Sequence, residues 1–146
     1  MTDQEPLDSA IGWVAEHTKR YVDSGGEDGH LWKGWPTAVL TTTGRRSGAA
    51  RRNALIYGED SGDHILVASY GGRDDHPLWY LNLVANPVVT LQVRAEVLHG
   101  TATTVDDAAE RDRLFAYMAT IYPPYLDYQA KTARRIPVVR VDVDRT

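Results

Sequence analysis

The chain has 146 residues, 42% of them hydrophobic and 25% charged, with 20 Asp plus Glu against 16 Lys plus Arg. This composition fits one globular domain with its own core rather than a disordered chain, and a net charge of −4 argues against general binding to nucleic acid. It holds no cysteine, which removes disulfides, thiolate metal sites and a cysteine nucleophile, and no apolar run long enough to span a membrane.

The opening MTDQEPLDSA carries acids where a secretory signal carries lysine, so a cytoplasmic protein is expected, with peripheral membrane contact left open. Leu7, Ile11, Val14, Thr18 and Tyr21 recur at helical spacing and predict a short amphipathic helix from Pro6 to Tyr21. This helix lacks the cationic face of an interfacial anchor. The glycine-rich SGGEDG reads as a linker, so residues 1–30 make a helix and linker and residues 31–146 the body of a single domain. TAVLTTT (Thr37–Thr43) is a β-branched strand that GRRSG breaks with a turn. RRNALIYG alternates, with Arg51, Asn53, Leu55 and Tyr57 on one face and Arg52, Ala54 and Ile56 on the other. EDSGD is turn chemistry, and HILVASYGG reads as a buried strand closing a hairpin. HPLWYLNLVANP is bounded by Pro77 and Pro87 and predicts a short helix. VVTLQVRAEVLHGTATTV is a long strand or a bent strand pair. The stretch from Thr104 to Asp107 resembles a helix-capping signal, and Leu114, Phe115, Met118 and Tyr122 stripe the helix that follows. Pro123 and Pro124 stop that helix, and IPVVRVDV from Ile136 is a final strand. Strands joined mainly by hairpins, with helices inserted, predict an α+β domain built on an antiparallel sheet or small barrel.

Much familiar chemistry is missing. The five histidines lie in five separate segments without metal-ligand spacing. GRRSG has its serine in the wrong place for a nucleophile elbow, and neither G-x-G-x-x-G nor a Walker A pattern occurs. Three features remain. Arg45, Arg46, Arg51 and Arg52 put four arginines in eight positions around Gly44 and Gly48, which suits bidentate anion binding, against the alternative of a solvated hairpin tip. ASYGG (Ala68–Gly72) leads into a helix and lets backbone approach a ligand, against the alternative of an ordinary strand-to-helix turn. Tyr122, Tyr125 and Tyr128 surround the proline pair, either as core or as an apolar, proton-donating surface for a planar ligand.

Four runs occur in order between Trp32 and Val141: WKGWPTAVLTTTGRRSG (Trp32–Gly48), R-x-N-x-L-x-Y from Arg51, ASYGG followed by PLWYLNLVANP, and IYPPYLDYQ. Together they resemble the deazaflavin-dependent nitroreductase family, which uses coenzyme F420. The resemblance implies a split β-barrel and a reduced deazaflavin that passes hydride to a small organic acceptor, such as a nitroaromatic, a quinone or an unsaturated lactone. It places Arg45, Arg46, Ser47, Gly48, Arg51 and Asn53 at the socket for the coenzyme's phosphodiester and γ-linked glutamates. It sets Val67, Ala68, Ser69 and Tyr70, with Leu78, Trp79, Tyr80 and Asn82, along the cofactor, and Tyr122, Tyr125 and Tyr128 around the acceptor. A tyrosine or Ser69 hydroxyl would bond the acceptor oxygen, and Tyr125 is the first choice because the prolines restrict its backbone. Two residues depart from the family pattern: Tyr70 stands where relatives usually carry lysine, and Ala54 where a proline is common. A monomer or weak homodimer is expected, with no nucleic-acid partner and no integral membrane segment. The rival readings are a split barrel that binds FMN or haem, and a non-enzymatic anion- or RNA-binding module. The second would want aromatics beside the arginines, and the loop has none.

Overall fold

The computed structural model describes Leu7–Asp8, Leu31–Trp32 and residues 35–143. Its centre is a run of β-branched and apolar residues that pair in antiparallel order. Strand β3 (Trp35–Thr43) forms a regular ladder with β4 (Ala50–Ile56), from Thr37 opposite Ile56 to Thr43 opposite Ala50. The other edge of β3 takes β7 (Val88–Val93), and the sheet continues through β8 (Glu96–Thr104), β9 (Val138–Val143), β6 (Asp63–Val67) and β5 (Gly58–Asp60). Two-residue strands border it: β1 (Leu7–Asp8) runs parallel to β4, and β2 (Leu31–Trp32) pairs with β3. Strand β4 also comes into contact with β6, so the sheet curls toward a barrel.

Strict alternation along β6 and β9 builds two cores back to back. Leu66, Val139 and Val141 face a cluster with Ala38, Leu40, Leu91 and the helix α1 (Leu78–Ala85) through Trp79, Tyr80 and Leu83. Ile65, Val67 and Val138 face the opposite way, onto α2 (Ala108–Ile121) through Leu114, Phe115 and Met118, and onto α3 (Pro124–Ala130) through Tyr125. The stripe read from the sequence of α2 is thus its buried face.

Some expectations change and others sharpen. Leu7 and Asp8, placed at the start of a helix, are strand paired with Arg51 and Arg52, while residues 9–30, the rest of that helix and the linker, lie outside the described residues. The strand in HILVASYGG stops at Val67 because its partner strand runs into Pro137. The Ala68 N–H still reaches the Pro137 carbonyl at 3.0 Å, but proline has no N–H to return. The long segment after Pro87 is a tight hairpin without glycine: Arg94 turns it with φ of 57°, and Gln92 Nε2 donates to the Arg94 carbonyl at 2.8 Å. The cap of α2 is Asp107, whose carboxylate accepts from the Glu110 N–H at 2.9 Å, and the proline pair that ends α2 also begins α3, a helix that the tyrosine spacing did not predict.

A cluster of ions staples the β5–β6 hairpin to α2 and β9. Arg113 binds both Asp60 oxygens at 3.1 Å, and Arg140 reaches Asp60 and Asp63 at 2.9 Å and Glu110 at 3.1 Å. The hydrogen bonds from Arg113 and then Arg140 hold the Asp60 carboxyl well below its ordinary value, at about 2. A depressed carboxyl contributes stability that is present above its unfolded value and lost as pH falls through the folded one. Asp60→Asn is therefore expected to lower unfolding stability by about 1 kcal/mol at neutral pH, since the partly exposed pairs are screened. In urea titrations the gap to wild type should close as pH falls from about 4 toward 2; a gap independent of pH would refute the staple.

Candidate functional site

The arginine turn joins β3 to β4. It is closed by the Gly44 N–H to the Ala49 carbonyl at 2.7 Å and the Gly48 N–H to the Gly44 carbonyl at 2.9 Å. Gly48 sits at φ of 73°, the left-handed region that favours glycine. The Ser47 hydroxyl is used inside the turn, accepting from the Ala49 N–H at 3.1 Å. Arg45 and Arg46 are exposed and Arg51 is half-buried, and their guanidinium groups bind no described residue. By contrast, Arg111, Arg113, Arg134, Arg135 and Arg140 all direct their donors at carbonyls or carboxylates. Asn53, on β4 opposite Leu40, is half-buried below the turn.

Helix α1 holds this turn in place. Buried Asn82 accepts from the Arg45 N–H at 3.1 Å and donates to Thr42 Oγ1 at 3.4 Å. The neighbouring candidates divide by burial. Trp79 and Tyr80 belong to the core, with the Tyr80 hydroxyl on Thr104 Oγ1 at 2.8 Å, while Leu78 is exposed.

At the end of β6, Val67 and Ala68 are buried and Ser69 and Tyr70 half-buried. Tyr70, Gly71 and Gly72 then take φ values of 48°, 63° and 81°. Arg73 lies over the Tyr70 ring at 4.6 Å and donates to its hydroxyl at 3.1 Å. Gly72 is pressed against α3, where an added Cβ would stand 2.7 Å from the Tyr128 carbonyl oxygen. The sequence reading missed the residue that organises this turn. Arg134 donates to the carbonyls of Ala68 at 3.0 Å, Ser69 at 2.9 Å and Arg73 at 3.1 Å, and contacts His76 Nδ1 at 3.0 Å. No motif marks it, because these partners are brought to it only by the tertiary fold.

The tyrosines meet as a group. The hydroxyls of Tyr122 and Tyr128 share a hydrogen bond of 2.9 Å, and the Tyr122 and Tyr125 rings pack edge-on with centroids 4.9 Å apart. Tyr125 is 4% exposed against Phe115, Tyr122 is 8% exposed, and Tyr128 is half-buried at the margin. Burial raises the Tyr125 hydroxyl above its ordinary value, and burial followed by the Tyr128 hydrogen bond does the same for Tyr122. Both therefore stay neutral at physiological pH. No described contact joins the arginine turn to the tyrosines directly. The connection runs from Asn82 along α1 to Tyr80 and its ring neighbour His76, then through Arg134 to the Ala68–Gly72 turn and Tyr128. An open depression of about 290 Å³ between α1 and β8, lined by Leu83, Val84, Pro87 and Thr101–Thr104, contains none of these residues and no charge.

The curled antiparallel sheet with its inserted helices is a split barrel. The chain belongs to the F420H(2)-dependent quinone reductase family, which it matches over residues 13–144, and it is an F420-dependent oxidoreductase. An F420H(2)-dependent quinone reductase of Mycobacterium tuberculosis is 35% identical over 129 residues, covering 84% of this chain and 85% of the relative. Among solved structures, an F420-H2 dependent reductase, FDR-A, is 42% identical with a TM-score of 0.68, over 73% of this chain and 94% of its own. A domain-swapped dimer is 40% identical with a TM-score of 0.70, over 92% of this chain and all of its own. The haem storage protein HutZ of Vibrio cholerae, 14% identical with a TM-score of 0.57 over 75% of this chain and 79% of its own, shares the fold alone. Among the described residues no helix is long and apolar enough to cross a membrane.

Because Asn82 ties the side of α1 to the Arg45 backbone, Asn82→Ala should lower stability by about 1–2 kcal/mol. It should also accelerate amide exchange at Arg45, measured by NMR; unchanged exchange there would show that the turn holds itself.

Proposed function

We propose that this reductase passes hydride from F420H2 to a planar quinone-class acceptor, with nitroaromatics and unsaturated lactones as further candidates. The observation that carries the cofactor assignment to particular residues is the set of guanidinium groups on Arg45, Arg46 and Arg51 that have no partner among the described residues, in a chain of net charge −4. A multiply anionic ligand fits such a socket, since guanidinium binds phosphate and carboxylate bidentately. Reduced coenzyme F420 supplies the hydride, and the protein's part is binding, orientation and electrostatics.

In this reading Arg45, Arg46 and Arg51, with the Ser47–Gly48 backbone and Asn53, hold the phosphodiester and glutamate tail. The strand end at Val67–Tyr70 and the side of α1 at Leu78, Trp79, Tyr80 and Asn82 shape the cofactor's bed, the buried members by packing behind it. Burial favours Tyr128 over Tyr125 for the hydroxyl that faces an acceptor, because Tyr125 is enclosed against Phe115. Neutral phenols act as hydrogen-bond donors to an oxygen gaining negative charge. Tyr122 would orient the Tyr128 hydroxyl through their 2.9 Å bond, and Ser69 is the alternative donor.

Fluorescence titration with F420 tests the socket. Arg46→Ala or Arg51→Ala should weaken binding by roughly 1.5–3 kcal/mol, the range for hydrogen bonds to charged groups, and wild-type affinity should fall with salt. Unchanged affinity in both variants at low salt would remove the assignment, and FMN or haem copurifying with the protein would replace it. Steady-state kinetics with menadione test the phenols. Tyr128→Phe should reduce turnover by about 10-fold or more while cofactor affinity holds, general acid or hydrogen-bond assistance being typically 10²–10⁴-fold and water replacing part of it. Tyr125→Phe should mainly lower thermal stability. Wild-type turnover by Tyr128→Phe with several acceptors would return that residue to the core.

A further inference from the structure

Pairing between β6 and β9 leaves one backbone group without its ordinary partner. In an antiparallel ladder Ala68 and Pro137 would exchange two hydrogen bonds, but proline returns none, so the carbonyl of fully buried Ala68 needs another donor. Arg134 provides it, and the same guanidinium takes the next carbonyl, that of Ser69. A planar trans peptide points its C=O and the following N–H in opposite directions. With both oxygens drawn toward Arg134, the N–H groups of Ser69 and Tyr70 point away from it. Neither these two nor the Gly71 N–H has a hydrogen-bond partner among the described residues. A cation on the carbonyl side also polarises each amide and strengthens its N–H as a donor.

We infer that Arg134 is a positioning residue, which presents the Ser69 and Tyr70 N–H groups as a preorganised donor pair for a carbonyl or anionic oxygen of the bound deazaflavin. This role rests on the F420 site described above. Arg134 cannot easily swing aside. Its own carbonyl accepts from Gln129 Nε2 at 2.7 Å, and its N–H donates to Thr132 Oγ1 at 3.1 Å, which in turn donates to Asp74 Oδ1 at 2.8 Å. Gln129 is fixed from the other side by Arg111 Nη2 at 2.7 Å and the Ile136 N–H at 3.0 Å. A scaffold of α2, α3 and the loop before β9 thus orients the guanidinium.

His76 gives an independent reporter of the clamp. Its Nδ1 accepts from Arg134, its ring packs tilted at 53° against Tyr80 with centroids 4.9 Å apart, and Asp75 is a further charged neighbour. Desolvation, then the Arg134 charge, lowers the His76 pKa, while Asp75 raises it.

Arg134→Met and Arg134→Lys, with Arg135→Met as control, test the role by F420 titration and by NMR titration of His76. Arg135 lies on exposed Asp112 and the Ala108 carbonyl, away from the turn. Arg134→Met should weaken F420 binding about tenfold, as loss of charge-assisted positioning implies, and raise the His76 midpoint. Arg134→Lys, which keeps the charge but cannot span both carbonyls, should fall between Met and wild type and serves if Met fails to fold. Arg135→Met should bind as wild type does. Wild-type affinity in a folded Arg134→Met or Arg134→Lys protein overturns this role alone, while wild-type protein that fails to bind F420 overturns the coenzyme site and the role together.

Discussion

The missing N–H of Pro137 sets where the pairing of β6 with β9 ends. The ladder of β6 with β9 ends at Val67 opposite Val138, one step before Pro137. There the chain peels away at a buried position, where a carbonyl must still be satisfied. The left-handed residues Tyr70, Gly71 and Gly72 then reverse it into the loop before α1. The turn then packs against α3, Gly72 lying against the Tyr128 backbone.

Electrostatics divides the molecule in a complementary way. Around β5, β6, β9 and α2 the arginines and carboxylates are mutually satisfied, as in the group formed by Asp60, Asp63, Glu110, Arg113 and Arg140. Such partly exposed networks add modest stability and leave little local field for a ligand. On the β3–β4 turn the guanidinium groups of Arg45, Arg46 and Arg51 have no such partners among the described residues. A side chain that is desolvated and paired in the folded protein has little left to offer an anion, and that contrast separates the two groups of arginines.

What the sequence revealed depended on how local the cause was. The strand Thr37–Thr43, its glycine turn and the stripe of α2 are set by neighbours a few residues away, and their patterns could be read directly. The F420 family was legible because its motifs are short runs that follow one another in order along the chain. The misses had distant or unmarked causes. Leu7–Asp8 became strand through pairing with residues far along the chain. Arg94 occupies a left-handed position with no glycine or asparagine to announce it. The proline pair was read as an end and proved also a beginning, because proline suits the first helical position as well as it breaks a last one. Arg134 was invisible because its partners lie 58 to 66 residues away.

The contact between Gly72 and Tyr128 has a mechanical consequence. Backbone meets backbone there with no side chain to act as a cushion, so the Ala68–Gly72 turn and the C-terminal end of α3 cannot slide independently. Both sides of that seam would be displaced by even a methyl group at position 72. Any movement of the turn must therefore carry the end of α3 with it.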